Sequence, residues 1–352
     1  VAVAAFMLSG RKISLMQRST MQSAISAPQV GGIVRLTKFI LRGTFLVEAI
    51  GAILLLPVFC HDFGRRGIWM SVFHSVSAFC NAGFDILGTE GHRFVSLSGY
   101  GDNIWLNMVI MLLIIIGGIG FLTWEDFYKN KLNFRRYRMQ SKVILITTAL
   151  LIILPAILFF ANDFGEFLFK KRLLYSIFQS VTTRTAGFNT ADLPLMTEAG
   201  KSVMILLMLI GGSPSSTAGG MKTTTFAVLI LNAFATFRSR EDAGAFGRRF
   251  DVQVIKNAAT IAMLYLMLFF GGGIIISAYE GLPVLTCFYE AASAIGTVGL
   301  TLGVTPDLHI ISRLILIVLM YLGRVGGLTL IYAVFSGKHN NARMPMEKIT
   351  VG

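Results

Sequence analysis

The sequence predicts an all-α integral membrane protein in which similar helical units recur around a common axis. Its 352 residues are 54% hydrophobic and 14% charged, with a mean hydropathy of +0.70. Soluble domains carry about 25% charged residues, so this composition is typical of a chain that crosses a membrane several times. Three short segments that end in glycine also resemble one another, and basic residues collect between pairs of apolar runs.

Long apolar runs predict the membrane spans in order along the chain. A helix needs about 20 apolar residues to cross a hydrocarbon core of about 30 Å. The opening run, 1–8, is too short to cross and leads into a basic loop, so we expect it to be the cytoplasmic end of a helix whose start is missing. The predicted spans are 40–60, 104–121, 143–161, 258–278 and 314–335, with a shorter run at 202–210.

Membrane topology explains the net charge of +13. Basic residues concentrate in four blocks that are separated by pairs of spans, at 11–42, 129–142, 238–256 and 338–352. Positively charged loops tend to stay in the cytoplasm, so these blocks and the C-terminus are predicted to be cytoplasmic. Nucleic-acid binding is therefore not expected.

The three similar segments each join an apolar, helix-like stretch to a glycine. They cover 73–84, 178–188 and 289–300, and their glycines are 104 and 112 residues apart. A short membrane helix that ends in glycine can point backbone carbonyl oxygens at a bare cation, although a glycine also caps ordinary helices. An aromatic residue precedes a hydroxyl by four positions in all three: Phe73 and Ser77, Phe178 and Thr182, Tyr289 and Ser293.

Each repeat is predicted to form a span, a short re-entrant helix and a second span. Two spans per unit make the repeats parallel, whereas the inverted repeats of many secondary transporters need an odd number. Parallel units around an axis bring their re-entrant segments together and form a pore. The predicted divisions are the end of an earlier span with a linker, three units and a cytoplasmic tail, at 1–32, 33–140, 141–250, 251–337 and 338–352.

The stretch 211–220 is predicted to break a helix inside the membrane. It contains four glycines, one proline and four hydroxyl residues, a composition through which no helix runs smoothly. Irregular backbone at membrane depth must line water or be buried in protein. An intramembrane loop in the conduction path accounts for this pattern, and a plain loop outside the membrane is the alternative.

Two cations need an explanation at membrane depth. Arg324 lies within an apolar run and is predicted to act in the pore or gate, the alternative being a salt bridge to Glu290 or another buried acid. Lys222 follows the broken stretch and either shares that role or extends toward the interface. Arg324 also belongs to a glycine motif at 323–329 that duplicates 117–123, where the glycines allow helices to approach closely or mark a shared architecture.

Cation conduction is the leading prediction, and two other classes of function fit less well. A secondary transporter for an organic solute would need inverted repeats and acidic ligands in the membrane. An enzyme is not expected, because the sequence contains no metal-ligating cluster, nucleophile triad or phosphate-binding loop.

With these motifs in view, the chain resembles the Ktr/Trk/HKT superfamily of potassium transporters, and most closely the bacterial Ktr membrane subunit. The resemblance runs over essentially the whole chain. The segments that carry it are Asn81-Ala82-Gly83-Phe84, Thr185-Ala186-Gly187-Phe188, Gly296-Thr297-Val298-Gly299-Leu300, the loop from Gly211 to Lys222, and Gly323-Arg324-Val325-Gly326.

The resemblance implies four span–pore helix–span units arranged around a pseudo-four-fold pore, as in a potassium channel, and potassium uptake through a filter of backbone carbonyls. Sodium-selective or mixed transport by the same fold is the alternative. The implied filter residues, whose carbonyls would hold potassium, are Asn81, Ala82, Gly83, Thr185, Ala186, Gly187, Thr297, Val298 and Gly299. The implied gate residues are Gly211, Gly212, Ser213, Ser215, Ser216, Thr217, Gly219, Gly220, Lys222 and Arg324.

The resemblance also implies a homodimer in the plasma membrane that contacts lipid and docks on a cytosolic ring of nucleotide-binding regulatory subunits. No tightly bound cofactor is expected apart from potassium in the pore. The family has four units, whereas this chain contains three and the end of another. We therefore expect the first unit to be absent through truncation of the chain or of its gene prediction.

Overall fold

The computed structural model of the protein describes residues 32–89 and 94–325. The opening run 1–8, the tail 338–352 and the last part of the duplicated glycine motif lie outside these residues. The described part is helical apart from one small hairpin, and it matches the all-α prediction. The α-helices are α1 (Ile33–Phe63), α2 (Arg66–Phe79), α3 (Ile104–Gly118), α4 (Phe121–Asn130), α5 (Met139–Asn162), α6 (Phe169–Thr182), α7 (Glu198–Leu209), α8 (Thr223–Phe237), α9 (Val252–Glu280), α10 (Val284–Ile295) and α11 (Ile310–Val325).

One order of helices occurs three times. A long helix is followed by a short helix of 12 to 14 residues and then by a second, inner helix. We name these groups unit I (α1–α4), unit II (α5–α8) and unit III (α9–α11). An antiparallel hairpin of β1 (Gly244–Ala245) and β2 (Arg248–Arg249) separates units II and III, and short 3-10 turns occur at Ser98–Tyr100, Phe134–Arg136 and Thr305–Asp307.

The protein is a multi-pass membrane protein. Among the described residues, α1, α5 and α9 are long and apolar enough to cross a membrane, and α3 with α4 would make a fourth span. Their outward faces are apolar, as shown by the exposed side chains of Phe45, Leu154 and Met267. Such broad apolar exposure is unfavourable in water and is what a helix facing lipid requires.

The C-terminal ends of the short helices are buried within this shell of long helices, whereas the start of α2 is exposed at Ile68 and Trp69. Phe79, Phe178 and Tyr289 are each fully buried, one in every short helix. Hydroxyls fix two of these helices to the adjacent long helix: Ser75 of α2 donates to the Glu48 carbonyl, and Ser180 of α6 donates to the Ile152 carbonyl, both at 2.7 Å. The protein core is therefore built around the segments that the sequence predicts to be re-entrant.

The inner helix of unit I departs from the predicted span 104–121. Helix α3 ends at Gly118, and α4 continues at an angle of 96° to it. Gly120 has a φ of 89°, and a Cβ there would overlap the Pro214 carbonyl. The Phe121 N–H donates to the Ser215 carbonyl at 2.7 Å instead of continuing the helix. A segment of unit II thus occupies the bend, which composition alone did not reveal.

The inner helix of unit II is interrupted where the sequence predicts a break. Helix α7 ends at Leu209 and α8 begins at Thr223. We call residues 210–222 between them the broken-helix loop.

Two glycines of the duplicated motif allow the close helix approach that was one interpretation of it. A Cβ on Gly117 would overlap the Phe79 carbonyl oxygen at the end of α2, and a Cβ on Gly323 would overlap the Ile295 carbonyl oxygen at the end of α10. The inner helices of units I and III therefore pack directly against the last turn of their own short helix.

We predict that Gly323→Ala and Gly117→Ala each destabilise the full-length protein by about 1–3 kcal/mol, because the added methyl group meets backbone that cannot move aside. Gly271→Ala is the control, since a Cβ at this helical glycine meets no atom within 4 Å. Thermal unfolding of the detergent-purified variants measures the effect. Equal midpoints for all three variants would contradict the close-packing assignment.

Candidate functional site

The three glycine segments lie side by side in the centre of the described structure. A Cβ on Gly83 would overlap the Ala186 carbonyl oxygen and come within 2.9 Å of the Gly187 Cα. A Cβ on Gly187 would overlap the Val298 carbonyl oxygen. Gly299 has no described atom within 4 Å of its Cβ position. The segment of unit II is therefore in backbone contact with those of units I and III, and the Asn81 side-chain N–H also donates to the Thr185 hydroxyl at 3.5 Å.

The backbone of all three segments has the same unusual conformation. Each segment contains a triplet of predicted filter residues, at 81–83, 185–187 and 297–299. The first and third residues of each triplet have positive φ, whereas the middle residue does not. Positive φ is strained for residues other than glycine and is a genuine outlier for a β-branched threonine. The three-fold occurrence indicates that the conformation is required. The angles are 50° at Asn81, 68° at Gly83, 72° at Thr185, 89° at Gly187, 53° at Thr297 and 91° at Gly299.

The short helices hold this conformation through matched hydrogen bonds. In each unit the N–H of the middle residue donates to the carbonyl of the repeated hydroxyl residue. The pairs are Ala82 and Ser77 at 2.9 Å, Ala186 and Thr182 at 2.9 Å, and Val298 and Ser293 at 2.8 Å. Each short helix also ends directly before its segment, so that its partially negative C-terminus favours a cation there.

The repeated hydroxyls themselves close a second set of contacts. Ser77 donates to the Phe84 carbonyl at 2.7 Å, and Thr182 donates to the Phe188 carbonyl at 2.6 Å. Ser293 accepts from the Gly299 N–H at 3.1 Å. The sequence showed the fixed spacing of these hydroxyls but not their role, which is to clamp the residues around each glycine.

The broken-helix loop lies against the glycine segments of units I and III. The Thr217 hydroxyl donates to the Phe79 carbonyl at 3.0 Å and lies 3.3 Å from the Asn81 side-chain oxygen in unit I. A Cβ on Gly219 would overlap the Thr297 hydroxyl in unit III. Because the loop starts from unit II and reaches both neighbours, it connects the three units next to their glycine segments.

Backbone hydrogen bonds close the neck of the broken-helix loop. The Gly211 N–H donates to the Met221 carbonyl at 2.7 Å, and the Thr223 N–H donates to the Gly212 carbonyl at 3.0 Å. The Ser213 N–H donates to the Gly118 carbonyl at 3.0 Å, which ties the loop to the bend between α3 and α4.

Two cations and one hydroxyl bind the interior of the loop. Lys222 donates to the Ala218 carbonyl at 2.8 Å, so it turns into the loop rather than toward an interface. Arg324 of α11 donates to the Thr217 carbonyl at 3.0 Å. The Ser216 hydroxyl donates to the Ser213 carbonyl at 2.7 Å.

The alternative partner of Arg324 is not used in the described structure. Glu290 accepts hydrogen bonds from Thr301, Leu302 and Thr305, and it forms no ion pair with Arg324 among the described residues. The structure thus brings together all the residues that were predicted for the filter and the gate. Ser215 belongs to this set through its carbonyl, which binds the bend of unit I.

Comparison with known proteins agrees with this architecture. Residues 1–342 match the family TrkH, described as a cation transport protein. The chain belongs to this family. The resemblance drawn from the sequence is thereby confirmed.

Relatives with assigned names share most of their length with this chain. It is 38% identical to the potassium/sodium uptake protein NtpJ of Enterococcus hirae, covering 99% of the chain and 78% of that protein. It is 34% identical to the Ktr system potassium uptake protein B of Bacillus subtilis, covering 100% of the chain and 79% of that protein.

A solved structure supports the fold. The crystal structure of the potassium transporter TrkH from Vibrio parahaemolyticus superposes with a TM-score of 0.71 at 18% identity. The match covers 91% of this chain and 68% of that one.

We predict that Thr182→Val lowers the rate and selectivity of cation uptake, because the Phe188 carbonyl loses a hydrogen bond worth about 1 kcal/mol and shifts the adjacent glycine segment. Thr183→Val is the matched control, since its hydroxyl bonds only to carbonyls of its own helix, Gln179 and Ser180. Competition between potassium and sodium in uptake assays provides the measurement. If the two variants behave identically, the Thr182 hydroxyl does not hold the glycine segment in place as we infer.

Proposed function

We propose that the chain mediates potassium uptake through a filter of backbone carbonyl oxygens, with the broken-helix loop as its gate. The observation that carries the proposal is the convergence of three segments with the same strained backbone. The names of the relatives, potassium uptake and potassium/sodium uptake proteins, support the same substrate.

The proposed filter replaces the water that surrounds a cation in solution. A permeating ion must exchange its hydration shell for protein oxygens of similar strength. The Ala186 and Val298 carbonyl oxygens lie where a side chain of the neighbouring glycine would otherwise be. The absence of a Cβ at Gly83 and Gly187 therefore leaves room for these oxygens to face the ion. The C-terminal ends of three short helices add an electrostatic preference for positive charge.

Potassium is favoured over sodium because each described filter segment contains glycine at the matched position, a pattern associated with potassium by the family resemblance. Sodium-selective or mixed transport by the same fold is the second candidate, and the name of the Enterococcus hirae relative favours it. Uptake measured with both ions separates the two candidates.

The proposed gate lies directly beneath the filter. The loop combines four glycines with polar contacts to units I and III, and opening of the proposed gate would exchange these contacts. Arg324 binds one carbonyl of the loop from unit III, and Lys222 binds another from within it. These two donors favour the observed position of the loop, and in our proposal the loop in this position obstructs the path next to the glycines.

The basic blocks support a cytoplasmic face that docks a regulatory partner. Blocks 129–142 and 238–256 meet in the fold, since Lys142 lies 5.5 Å from the ring of Phe246 in the hairpin. Arg248 and Arg249 are exposed on that hairpin. We assign this face to the cytoplasmic side of the plasma membrane and propose that it binds the regulatory ring, with the transporter itself a homodimer.

We predict that Gly187→Ala abolishes potassium uptake in a transport-deficient cell that expresses the full-length gene, because its Cβ would fill the space of the Val298 carbonyl. Gly187→Asp should have the same effect. Gly303→Ala is the control, since Gly303 has a φ of 92° but no atom within 4 Å of its Cβ position. Membrane levels are measured in parallel. Normal uptake by Gly187→Ala would exclude Gly187 from the filter.

We predict that deletion of 212–220 raises basal potassium flux, because the obstruction below the filter is removed. Arg324→Gln should raise flux by a smaller amount, since it weakens one contact to the loop. Arg313→Gln is the control on the same helix, because Arg313 binds the Leu308 and Pro306 carbonyls instead of the loop. A lower or unchanged flux in the deletion and in Arg324→Gln would show that the loop is not the gate.

A further inference from the structure

A buried polar side chain directly follows the repeated aromatic residue in every described unit. These side chains are His74, Gln179 and Glu290, with exposed fractions of 0%, 0% and 4%. Their places in the three repeats correspond, but their chemistry differs. Burial of a polar group is unfavourable unless hydrogen bonds compensate for the lost water, so the partners of these residues indicate what they do.

Glu290 binds the chain that leaves the third glycine segment. Its Oε1 accepts from the Thr301 hydroxyl at 2.7 Å and from the Leu302 N–H at 2.9 Å. Its Oε2 accepts from the Thr305 hydroxyl. All three donors follow Gly299 within six residues. The carboxylate therefore fastens the outer side of this segment to α10.

Gln179 makes the corresponding contact in unit II without a charge. Its Nε2 donates to the Asn189 side-chain oxygen at 3.3 Å. Asn189 lies two residues after Gly187, as Thr301 lies two residues after Gly299. Asn189 in turn accepts from the Leu97 N–H at 2.9 Å through its backbone carbonyl. The same position of the repeat thus holds the same part of the chain in both units.

Unit I lacks this contact among the described residues. His74 bonds through Nδ1 to the Met70 carbonyl at 2.7 Å, and its Nε2 has no hydrogen-bond partner in the described structure. Its ring stacks on Phe59 with centroids 4.8 Å apart. The matched residue after the glycine, Asp85, accepts from the Leu87 N–H instead. The units therefore hold their outer chains with unequal strength.

We propose that Glu290 and Gln179 are positioning residues for cation selectivity, which act by hydrogen-bonding the chain just outside the glycine segments. In this proposal Glu290 works as an acceptor of hydrogen bonds and not as a negative charge that attracts cations. Two observations favour this interpretation: both carboxylate oxygens are occupied by donors from the protein, and an uncharged amide holds the matched place in unit II. The inference rests on the proposed filter function.

Glutamine at position 290 can satisfy the same network. Its Oε1 would still accept from Thr301 and from the Leu302 N–H, while its Nε2 would donate to the Thr305 hydroxyl. The Thr305 hydroxyl hydrogen would then be free to bond to the Thr301 hydroxyl oxygen, which lies 3.0 Å away. Leucine at position 290 has a similar volume but satisfies none of these donors.

The test compares wild-type protein, Glu290→Gln and Glu290→Leu in the full-length transporter reconstituted in liposomes with its regulatory partner. The readout is the ratio of potassium to sodium uptake. We expect Glu290→Gln to stay within about twofold of wild type and Glu290→Leu to lose roughly fivefold or more, since buried donors are left unpaired. Glu198→Leu is the control, because the Glu198 side chain is 78% exposed at the start of α7.

Thr305→Val keeps the proposal testable if Glu290→Leu does not fold. It removes one donor with little change of shape and should lower the uptake ratio in the same direction by a smaller factor. Equal losses in Glu290→Gln and Glu290→Leu would assign the effect to charge and overturn the proposal. An unchanged ratio in Glu290→Leu, or in Thr305→Val where Glu290→Leu does not fold, would also overturn it. Wild-type protein that takes up no potassium would refute the proposed function itself, whereas failure confined to the variants would leave that function intact.

Discussion

The architecture depends on keeping a strained stretch of main chain in place at the centre of a membrane protein. Each glycine segment has two residues with positive φ, and such residues cost about 1–3 kcal/mol each when they are not glycine. Relaxation would move the carbonyl groups away from the neighbouring glycines. The short helices oppose this because their C-terminal ends are buried, lie next to the segments and bond N–H groups in all three units and a carbonyl in units I and II. The long helices, in turn, provide the shell that buries the short ones.

The need for backbone hydrogen bonds between units also explains why the inner helices of units I and II are broken. A continuous helix satisfies its own backbone groups and has none to spare for a neighbour. The bend after Gly118 and the loop after Leu209 each free such groups, and the two irregular stretches bond to each other: Ser213 to Gly118, and Phe121 to Ser215. Neither break therefore leaves these groups unpaired at membrane depth.

The repeats share a backbone plan but differ in the side chains that support it. Unit III uses a carboxylate at the place where unit II uses an amide and unit I a histidine. Unit III also contributes Arg324 at the motif position where unit I has Gly118. A pore built from units within one chain can specialise in this way, whereas a pore of identical subunits repeats every substitution around its axis. The loop and its cationic contact are features of single units, so the three repeats are not equivalent around the glycine segments.

The sequence by itself determined the helical class, the order of long and short helices, the break at 211–220 and the glycines that converge, because hydropathy, helix-breaking residues and repeat spacing act locally. It did not determine the bend after Gly118, since an apolar run continues there and the contacts with Ser213 and Ser215 of the broken-helix loop make the bend favourable. It also left the partner of Arg324 open, because the choice between Thr217 and Glu290 depends on how units II and III pack. The regular spacing of Ser77, Thr182 and Ser293 was visible in the sequence. Their hydrogen-bond partners were not, because these partners follow a turn with strained backbone angles that residue propensities do not predict. Tertiary structure decided these points because each is a hydrogen bond between segments that are distant in sequence or held in an unfavourable conformation.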